Sequence, residues 1–181
     1  MPVTRVVAAA IVVVALACSD RARADDAPSG AAAPAMTQRL RLELDGAYRP
    51  IFDVPSSGAE ASVGLLLDRG RVGVLLEARG GLGVTPAGIH TWGLAAGTGL
   101  ELALEPVRID LEALARCLTY EPISQVSNAI ACGIGARAAF LVDVVRFGGG
   151  GAMFAAASAE ANYFGDSFMS VSPAIGIGAR F

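Results

Sequence analysis

The sequence predicts an all-β fold, an eight-stranded antiparallel up-and-down transmembrane β-barrel. Eight segments of about ten residues alternate apolar and polar side chains, which is the period of a β-strand. The connections between these segments alternate between tight turns and longer loops. The 181-residue chain is 54% hydrophobic, yet it has no uninterrupted apolar run of 18 or more residues that would cross a membrane as a helix.

The first segment, "TQRLRLELDGAYRP", shows the alternation most clearly. Its even positions are Leu40, Leu42, Leu44, Gly46 and Tyr48, and its charged residues are Arg39, Arg41, Glu43, Asp45 and Arg49. The other segments lie near residues 61–68, 72–79, 92–105, 107–116, 134–143, 153–163 and 171–181. Residues 108–118 could instead form an amphipathic helix. We favour a strand because Arg108, Asp110 and Glu112 would line one side of a strand but scatter around a helix.

The connections fall into two classes that would lie at opposite ends of a barrel. The tight ones are near residues 68–71, 105–108 and 143–151, and the longer ones span residues 50–60, 85–91, 117–132 and 164–170. Transmembrane barrels have short periplasmic turns and longer outer loops. An even number of strands would place both termini at the end with the tight turns.

The N-terminal residues 1–24 have the features of a secretory signal peptide. The apolar run Val6–Cys18 follows Arg5 and is too short to span a bilayer comfortably, and Ala22 and Ala24 occupy the small-residue positions of a cleavage site. A membrane anchor is one alternative. A lipoprotein signal ending at Cys18 is another, because "ALAC" resembles a lipobox.

After the signal peptide, residues 25–37 are predicted to form a flexible leader and residues 38–181 the barrel domain. Removal of residues 1–24 would leave 11 arginines against 16 Asp and Glu residues, and the sequence has no lysine. A mildly acidic chain without a basic stripe gives no support for nucleic-acid binding.

The apolar face of the strands could contact lipid or fill the core of a soluble barrel, as in lipocalins. Tyr48, Trp92 and Tyr163 lie on that face at the predicted loop-side strand ends, where an interfacial aromatic girdle would be. The polar face carries both charge signs in neighbouring strands, which suits a polar lumen. A lipocalin would show a Gly-x-Trp signature in its first strand, and this first strand has no Trp. These features favour the membrane barrel.

The chain ends in "AIGIGARF", which resembles the C-terminal assembly signal of bacterial outer-membrane proteins. Phe181 is the terminal aromatic residue and Ile177 and Ile175 precede it at alternate positions, whereas Ala179 departs from the aromatic often found there. By this ending and by the strand pattern over residues 38–181, the chain resembles small OmpA/OmpX-type barrels. The resemblance implies a bacterial outer-membrane location, contact with outer-membrane lipid and recognition by the barrel-assembly machinery during biogenesis.

Twelve charged residues on the polar face are predicted to meet in the lumen, because an eight-stranded barrel is about filled by its own side chains. They are Arg41, Glu43, Asp45, Glu77, Arg79, Glu101, Arg108, Asp110, Glu112, Arg116, Arg137 and Glu160. We expect a packed network of paired charges, since buried charge needs pairing. A narrow conducting path is the alternative.

Cys117 and Cys132 bracket the longest predicted outer loop, and in an exported protein they are expected to form a disulfide. His90 is the only histidine. Some small outer-membrane barrels that modify lipid A use a histidine with a serine or an acid, but no serine motif accompanies His90. With one histidine and two oxidised cysteines, a metal site is poorly supported.

The sequence therefore predicts a non-enzymatic outer-membrane barrel with no cofactor. Its role would be structural, or interaction with a surface partner of unknown identity through the outer loops. The alternatives are a small pore, a lipid-modifying enzyme that uses His90, and a soluble exported lipocalin-like binder.

Overall fold

The computed structural model describes residues 35–51, 54–120, 129–164 and 169–181. These residues form one closed β-barrel in which each strand pairs antiparallel with the next one along the chain. The strands are β1 Thr37–Ile51, β2 Val54–Arg69, β3 Val72–Val84, β4 His90–Leu104, β5 Val107–Tyr120, β6 Ala129–Arg146, β7 Ala152–Tyr163 and β8 Met169–Arg180. The predicted fold class is confirmed, and residues 108–118 lie in a strand.

Pairing of the first strand with the last closes the barrel. The register runs from Arg41 opposite Arg180 to Ala47 opposite Ala174. Beyond it, the backbone nitrogen of Leu40 donates to the oxygen of Phe181 at 3.1 Å, and the nitrogen of Phe181 donates to the oxygen of Leu40 at 2.9 Å. A closed barrel leaves no unpaired strand edge, which is the condition for a sheet in hydrocarbon.

The two ends of the barrel differ in their connections. At one end, here called the short-turn end, β2–β3 and β4–β5 are joined by two-residue turns at 70–71 and 105–106. The first of these turns contains Gly70 at φ 73°, a left-handed conformation that favours glycine. Residues 147–151, with a 3-10 turn at Gly148–Gly150, join β6 to β7 at the same end. The opposite end is called the long-loop end.

All four predicted outer loops are shorter in the structure, and the difference is largest for two of them. Residues 50–60 were predicted to be a loop, but β1 continues to Ile51 and β2 begins at Val54, with Pro50 opposite Pro55. Within the predicted loop 117–132, β5 continues to Tyr120 and β6 begins at Ala129. The pattern of alternating apolar residues underestimated these strands because backbone pairing continues beyond it. In β2 the pairing runs through Pro55, Ser56 and Gly58, and in β5 and β6 it runs through residues 117–120 and 129–132.

The outward face of the barrel is apolar and the inward face is polar. Leu40, Leu42 and Leu44 are 46%, 43% and 55% exposed, whereas the intervening Arg41 and Glu43 are 1% and 4% exposed. The same outward exposure recurs in the other strands. We call the outward residues Leu40, Leu42, Leu44, Val63, Leu65, Leu94, Leu100, Leu102, Leu111, Ile134, Phe140, Met153, Val171, Ile175 and Ile177 the apolar belt.

Aromatic side chains lie on the outward face at both ends of the barrel. Tyr48, Trp92 and Tyr163 are exposed towards the long-loop end, and Phe147 and Phe181 are exposed at the short-turn end. This arrangement matches the aromatic girdles of membrane barrels. Among the described residues, none forms a helix of the length and hydropathy needed to cross a membrane.

The predicted signal peptide, residues 1–24, lies outside the described residues, as do residues 25–34 of the predicted leader. The last residue assigned to that leader, Thr37, is instead the first residue of β1 and lies opposite Asp68.

Candidate functional site in the barrel lumen

All twelve charged residues predicted to face the lumen are buried, because the strand period places each on the inward face of the closed barrel. They separate into a central cluster and two smaller clusters, one towards each end. Buried ion pairs of this kind contribute little net stability compared with apolar packing, but removing one partner costs about 3–5 kcal/mol.

Arg41 anchors the first half of the central cluster. Its Nη2 lies 2.5 Å from Oε2 of Glu43, and its Nη1 donates to Oδ2 of Asp110 on β5. Glu101 on β4 is more distant, with Oε2 at 3.8 Å from the same Nη1. Arg41 therefore links β1 to β5 directly across the lumen.

Arg137 and Arg79 form the second half. Nη2 of Arg137 lies 2.5 Å from Oε1 of Glu43, and its Nη1 lies 2.7 Å from Oε1 of Glu112. Arg79 donates to Oδ2 of Asp45 at 3.1 Å and pairs with Glu77 on its own strand. Because Glu43 contacts both Arg41 and Arg137, the two halves are one network.

A second cluster lies towards the long-loop end around Arg116. Its guanidinium contacts Oε1 of Glu60 at 2.6 Å and Oε1 of Glu160 at 2.5 Å, so it joins β5 to β2 and β7. Nη2 of Arg49 also lies 2.8 Å from Oε2 of Glu60. The side-chain Nδ2 of Asn162 donates to Oε1 of Glu160 at 2.7 Å.

The third cluster lies at the short-turn end. Arg108 pairs with Glu101, and Arg180 donates to Oδ2 of Asp143 at 2.9 Å. The three clusters also include charged residues that were absent from the predicted set of twelve, namely Arg49, Glu60, Asp143 and Arg180. Glu60 was missed because it lies in a segment predicted to be a loop. Asp143 and Arg180 have the inward parity, and that signal could have identified them.

Apolar side chains complete the filling of the lumen. Leu66 and Leu75 are fully buried on the inward face, and Leu141 packs with Phe154. The Phe154 ring needs the space beside Gly178, where a Cβ atom would lie 2.3 Å from the ring.

A small cavity remains between the central cluster and the cluster around Arg116. Its volume is about 10 Å³, and its lining includes Asp45, Arg79, Arg137 and Ser172. A space of that size holds about one water molecule. Between these two clusters, the lumen of the described barrel is therefore filled by side chains.

The predicted disulfide is present between Cys117 and Cys132. The two residues lie opposite each other in β5 and β6, so the bridge joins paired strands at the base of the loop. The sequence-based prediction had placed both cysteines at the edges of a longer loop. Residues 121–128 of that loop lie outside the described residues.

His90 is the first residue of β4 and is exposed at the long-loop end. Its side chain makes no hydrogen bond or ion pair with a serine or an acid in the described ranges. Within those ranges, no group of three or more His, Cys, Asp or Glu side chains is arranged to hold a metal ion.

The three residues of the predicted assembly signal lie on the outward face near the barrel closure. Ile175, Ile177 and Phe181 are all exposed. The Phe181 ring lies 6.0 Å from the ring of Phe147, centre to centre.

The barrel is similar to solved structures of bacterial proteins. Neisserial surface protein A is 12% identical, with 81% of this chain and 97% of that chain covered and a TM-score of 0.54. Ail, the attachment invasion locus protein of Yersinia pestis, is 11% identical, with coverages of 80% and 97% and a TM-score of 0.55. The N-terminal β-barrel domain of Pseudomonas aeruginosa OprF is 16% identical, with coverages of 81% and 100% and a TM-score of 0.54.

At these identities the likeness concerns the fold, which is that of the small eight-stranded outer-membrane barrels. The OmpA/OmpX-type architecture predicted from the sequence is therefore confirmed at the level of the fold. No family model and no curated protein sequence matches the chain.

Proposed function

We propose that this chain is a bacterial outer-membrane protein whose barrel serves as a rigid structural element and presents the outer loops for surface interaction. The observation that carries the proposal is the reversal of the usual burial pattern. Leucines of the apolar belt are exposed, whereas Arg41 and Glu43 beside them are buried in ion pairs. Such a surface is stable against lipid chains and unfavourable against water.

The single tryptophan offers a direct test. Trp92 is 42% exposed on the outward face near the long-loop end, whereas Leu111 is 60% exposed within the apolar belt. We expect Trp92 fluorescence in reconstituted vesicles to be quenched best by lipids brominated near the headgroup. In the double variant Trp92→Phe and Leu111→Trp, quenching should be strongest for bromines deep in the acyl chains. Absence of quenching in both proteins would contradict the proposal and favour the soluble barrel.

The lumen supports a structural role over a pore. The central cluster fills the section between β1 and β5, and Leu66, Leu75 and Leu141 occupy further inward positions. In planar bilayers we therefore expect no steady ion conductance from the wild-type protein. Stable single-channel steps would favour the small-pore alternative.

We also propose that the protein is not an enzyme. His90 is exposed and its side chain has no serine or acid partner among the described residues. Lipid A from cells that express the wild-type protein should show the same acyl chains in mass spectrometry as lipid A from cells with the His90→Ala variant. Acyl-chain changes that depend on His90 would overturn this part of the proposal.

The charge of the long-loop end limits the class of surface partner. One solved structure of Ail is a complex with the heparin analogue sucrose octasulfate. In this chain the connecting residues 52–53, 85–89, 121–128 and 164–168 contain three acidic residues and neither Arg nor Lys. A partner that is neutral or basic suits this composition, because like charges repel at an interface. We expect the reconstituted protein to show no saturable binding of sucrose octasulfate.

A further inference from the structure

The short-turn end of the barrel contains a pocket of about 200 Å³ that is distinct from the cavity in the lumen. Drug-sized ligands occupy larger pockets, of about 300–1,000 Å³, but this space is sufficient for a small ionic group. Its lining includes five arginines, which are Arg39, Arg71, Arg108, Arg146 and Arg180.

The arginines of this pocket outnumber the carboxylates that form ion pairs with them. Asp143 is shared by three guanidinium groups, with Arg180 at 2.9 Å, Arg146 at 3.2 Å and Arg108 at 3.5 Å. A single carboxylate has one negative charge to divide among these three cations. Arg108 and Arg146 have one further partner each, Glu101 and Glu105. The one carboxylate partner of Arg180 among the described residues is Asp143, which it shares with the other two arginines.

Two arginines of the pocket retain unused donors. Arg180 is 4% exposed, and its Nη1 and Nε atoms have no hydrogen-bond acceptor in the described part of the chain. Arg71 lies in the turn between β2 and β3, is exposed, and forms no side-chain ion pair with any described residue. Buried guanidinium donors without acceptors are unfavourable, so an anion that accepts from them would stabilise the site.

We propose that this pocket binds a phosphate group, carried by a phospholipid headgroup or by a soluble phosphate. Guanidinium groups match the geometry and charge of phosphate oxygens, and they form paired hydrogen bonds with them. Arg180 and Arg71 both line the pocket, so both are placed to interact with a phosphate held there.

The outward surface beside the pocket is suited to a lipid. Phe147 lines the pocket, and its ring also contacts Phe181 on the outward face. A phospholipid could therefore place its phosphate among the arginines and its acyl chains along the adjacent apolar belt. The phosphate chemistry itself does not require the barrel to span a membrane, so it can be tested separately from the proposed function.

The experiment compares two probes and two matched variants. Protein in an uncharged maltoside detergent is titrated calorimetrically with inorganic phosphate and with a short-chain phosphatidylglycerol. Arg71→Gln removes a pocket arginine that has no ion pair, and Arg69→Gln removes an exposed arginine from the same hairpin that does not line the pocket. Arg180→Gln removes the buried donor, and its folding is checked by heat-modifiable gel mobility.

We expect saturable binding that Arg71→Gln weakens about fivefold and that Arg69→Gln leaves unchanged. Binding of phosphatidylglycerol alone would assign the site to a lipid headgroup. Binding of both probes, or of inorganic phosphate alone, would assign it to the phosphate group itself. A folded Arg180→Gln variant should bind more weakly still. The proposal is overturned if neither probe binds saturably, or if the Arg71→Gln and Arg69→Gln variants lose affinity equally.

Discussion

The guanidinium carbon of Arg41 lies 5.2 Å from the centre of the Phe154 ring, inside the barrel. A cation over an aromatic face is attracted by the ring quadrupole. Arg41 belongs to the central charge cluster, whereas Phe154 packs with Leu141 and the neighbouring alanines. This contact therefore connects the polar and the apolar parts of the lumen filling.

Phe154→Ala is expected to lower the free energy of unfolding by about 3–5 kcal/mol, because it leaves a cavity beside Arg41 and Leu141. The control is Met153→Ala, since Met153 precedes Phe154 on β7 but is 47% exposed on the outward face. Urea unfolding of both variants in phospholipid bilayers, followed by tryptophan fluorescence, makes the comparison. Equal losses for the two substitutions would count against Phe154 as a packed lumen residue.

Leu42→Arg is expected to destabilise the barrel by about 2–4 kcal/mol if Leu42 lies near the bilayer midplane. The control is Ser57→Arg, because Ser57 is exposed opposite Tyr48, at the aromatic level of the long-loop end. An arginine there should cost about 0–1 kcal/mol. Both values come from reversible refolding in bilayers. If the two variants differ in stability in bilayers but not in detergent, lipid is the origin of the difference. Equal stability losses in bilayers would refute the outward, lipid-facing orientation of Leu42.

Arg116→Gln is expected to cost about 3–5 kcal/mol, since it leaves the buried carboxylates of Glu60 and Glu160 without their shared partner. Arg69→Gln serves as the charge-matched control, because Arg69 is exposed and unpaired within the described ranges. A surface substitution of that kind changes stability by about 0.5 kcal/mol or less. Similar unfolding midpoints for the two variants would show that the buried pairs are not coupled to stability.

The Cys117–Cys132 bridge should form within one chain and stabilise the barrel. The sequence separation is 15, for which loop closure contributes about 3 kcal/mol in the chain-entropy model. Peptide mapping without reductant should yield one linked pair of peptides from monomeric protein. The double variant that carries Cys117→Ser and Cys132→Ser should unfold at a lower urea concentration than the wild-type protein. Links between chains, or two free thiols, would disprove the pairing.

Phe181→Ser is expected to reduce membrane insertion in cells much more than it reduces stability. The side chain of Phe181 is exposed, and the substitution keeps the two backbone hydrogen bonds to Leu40. Phe147→Ser is the control, because it removes the other ring of the same aromatic pair away from the chain end. We expect both variants to refold alike in detergent and only Phe181→Ser to accumulate outside the membrane. Equal insertion of the two would argue against a C-terminal assembly signal.

Much of the fold was predictable because strand period alone assigns each side chain to a face. The exposure of Leu42 and the burial of Arg41 follow directly from their parity. The extent of the strands was less predictable. Glu60 was overlooked because Pro55, Ser56 and Gly58 suggest a loop, whereas the structure continues the pairing of β1 and β2 through them.

The pairing within the lumen could not be predicted from the sequence. Which inward charges meet depends on the stagger of the strands around the barrel, and this quantity has no local signature. Arg41 and Asp110 lie on strands that are not neighbours, so no pairwise pattern along the chain indicates their contact. By strand parity Leu66 and Leu141 share a face with the inward charges, but only the closed barrel shows that they fill space in the lumen.

The cross-lumen ion pairs have a consequence for how the chain enters a membrane. Arg41 can pair with Asp110 only when β1 faces β5 across the lumen, and Arg116 can pair with Glu160 only when β5 faces β7. A hairpin inserted alone would expose unneutralised charges to hydrocarbon, at a cost of several kcal/mol for each ion. Strand-by-strand entry is therefore disfavoured. We therefore expect insertion and closure to occur in one cooperative step, in which the polar interior is assembled as the apolar exterior meets lipid.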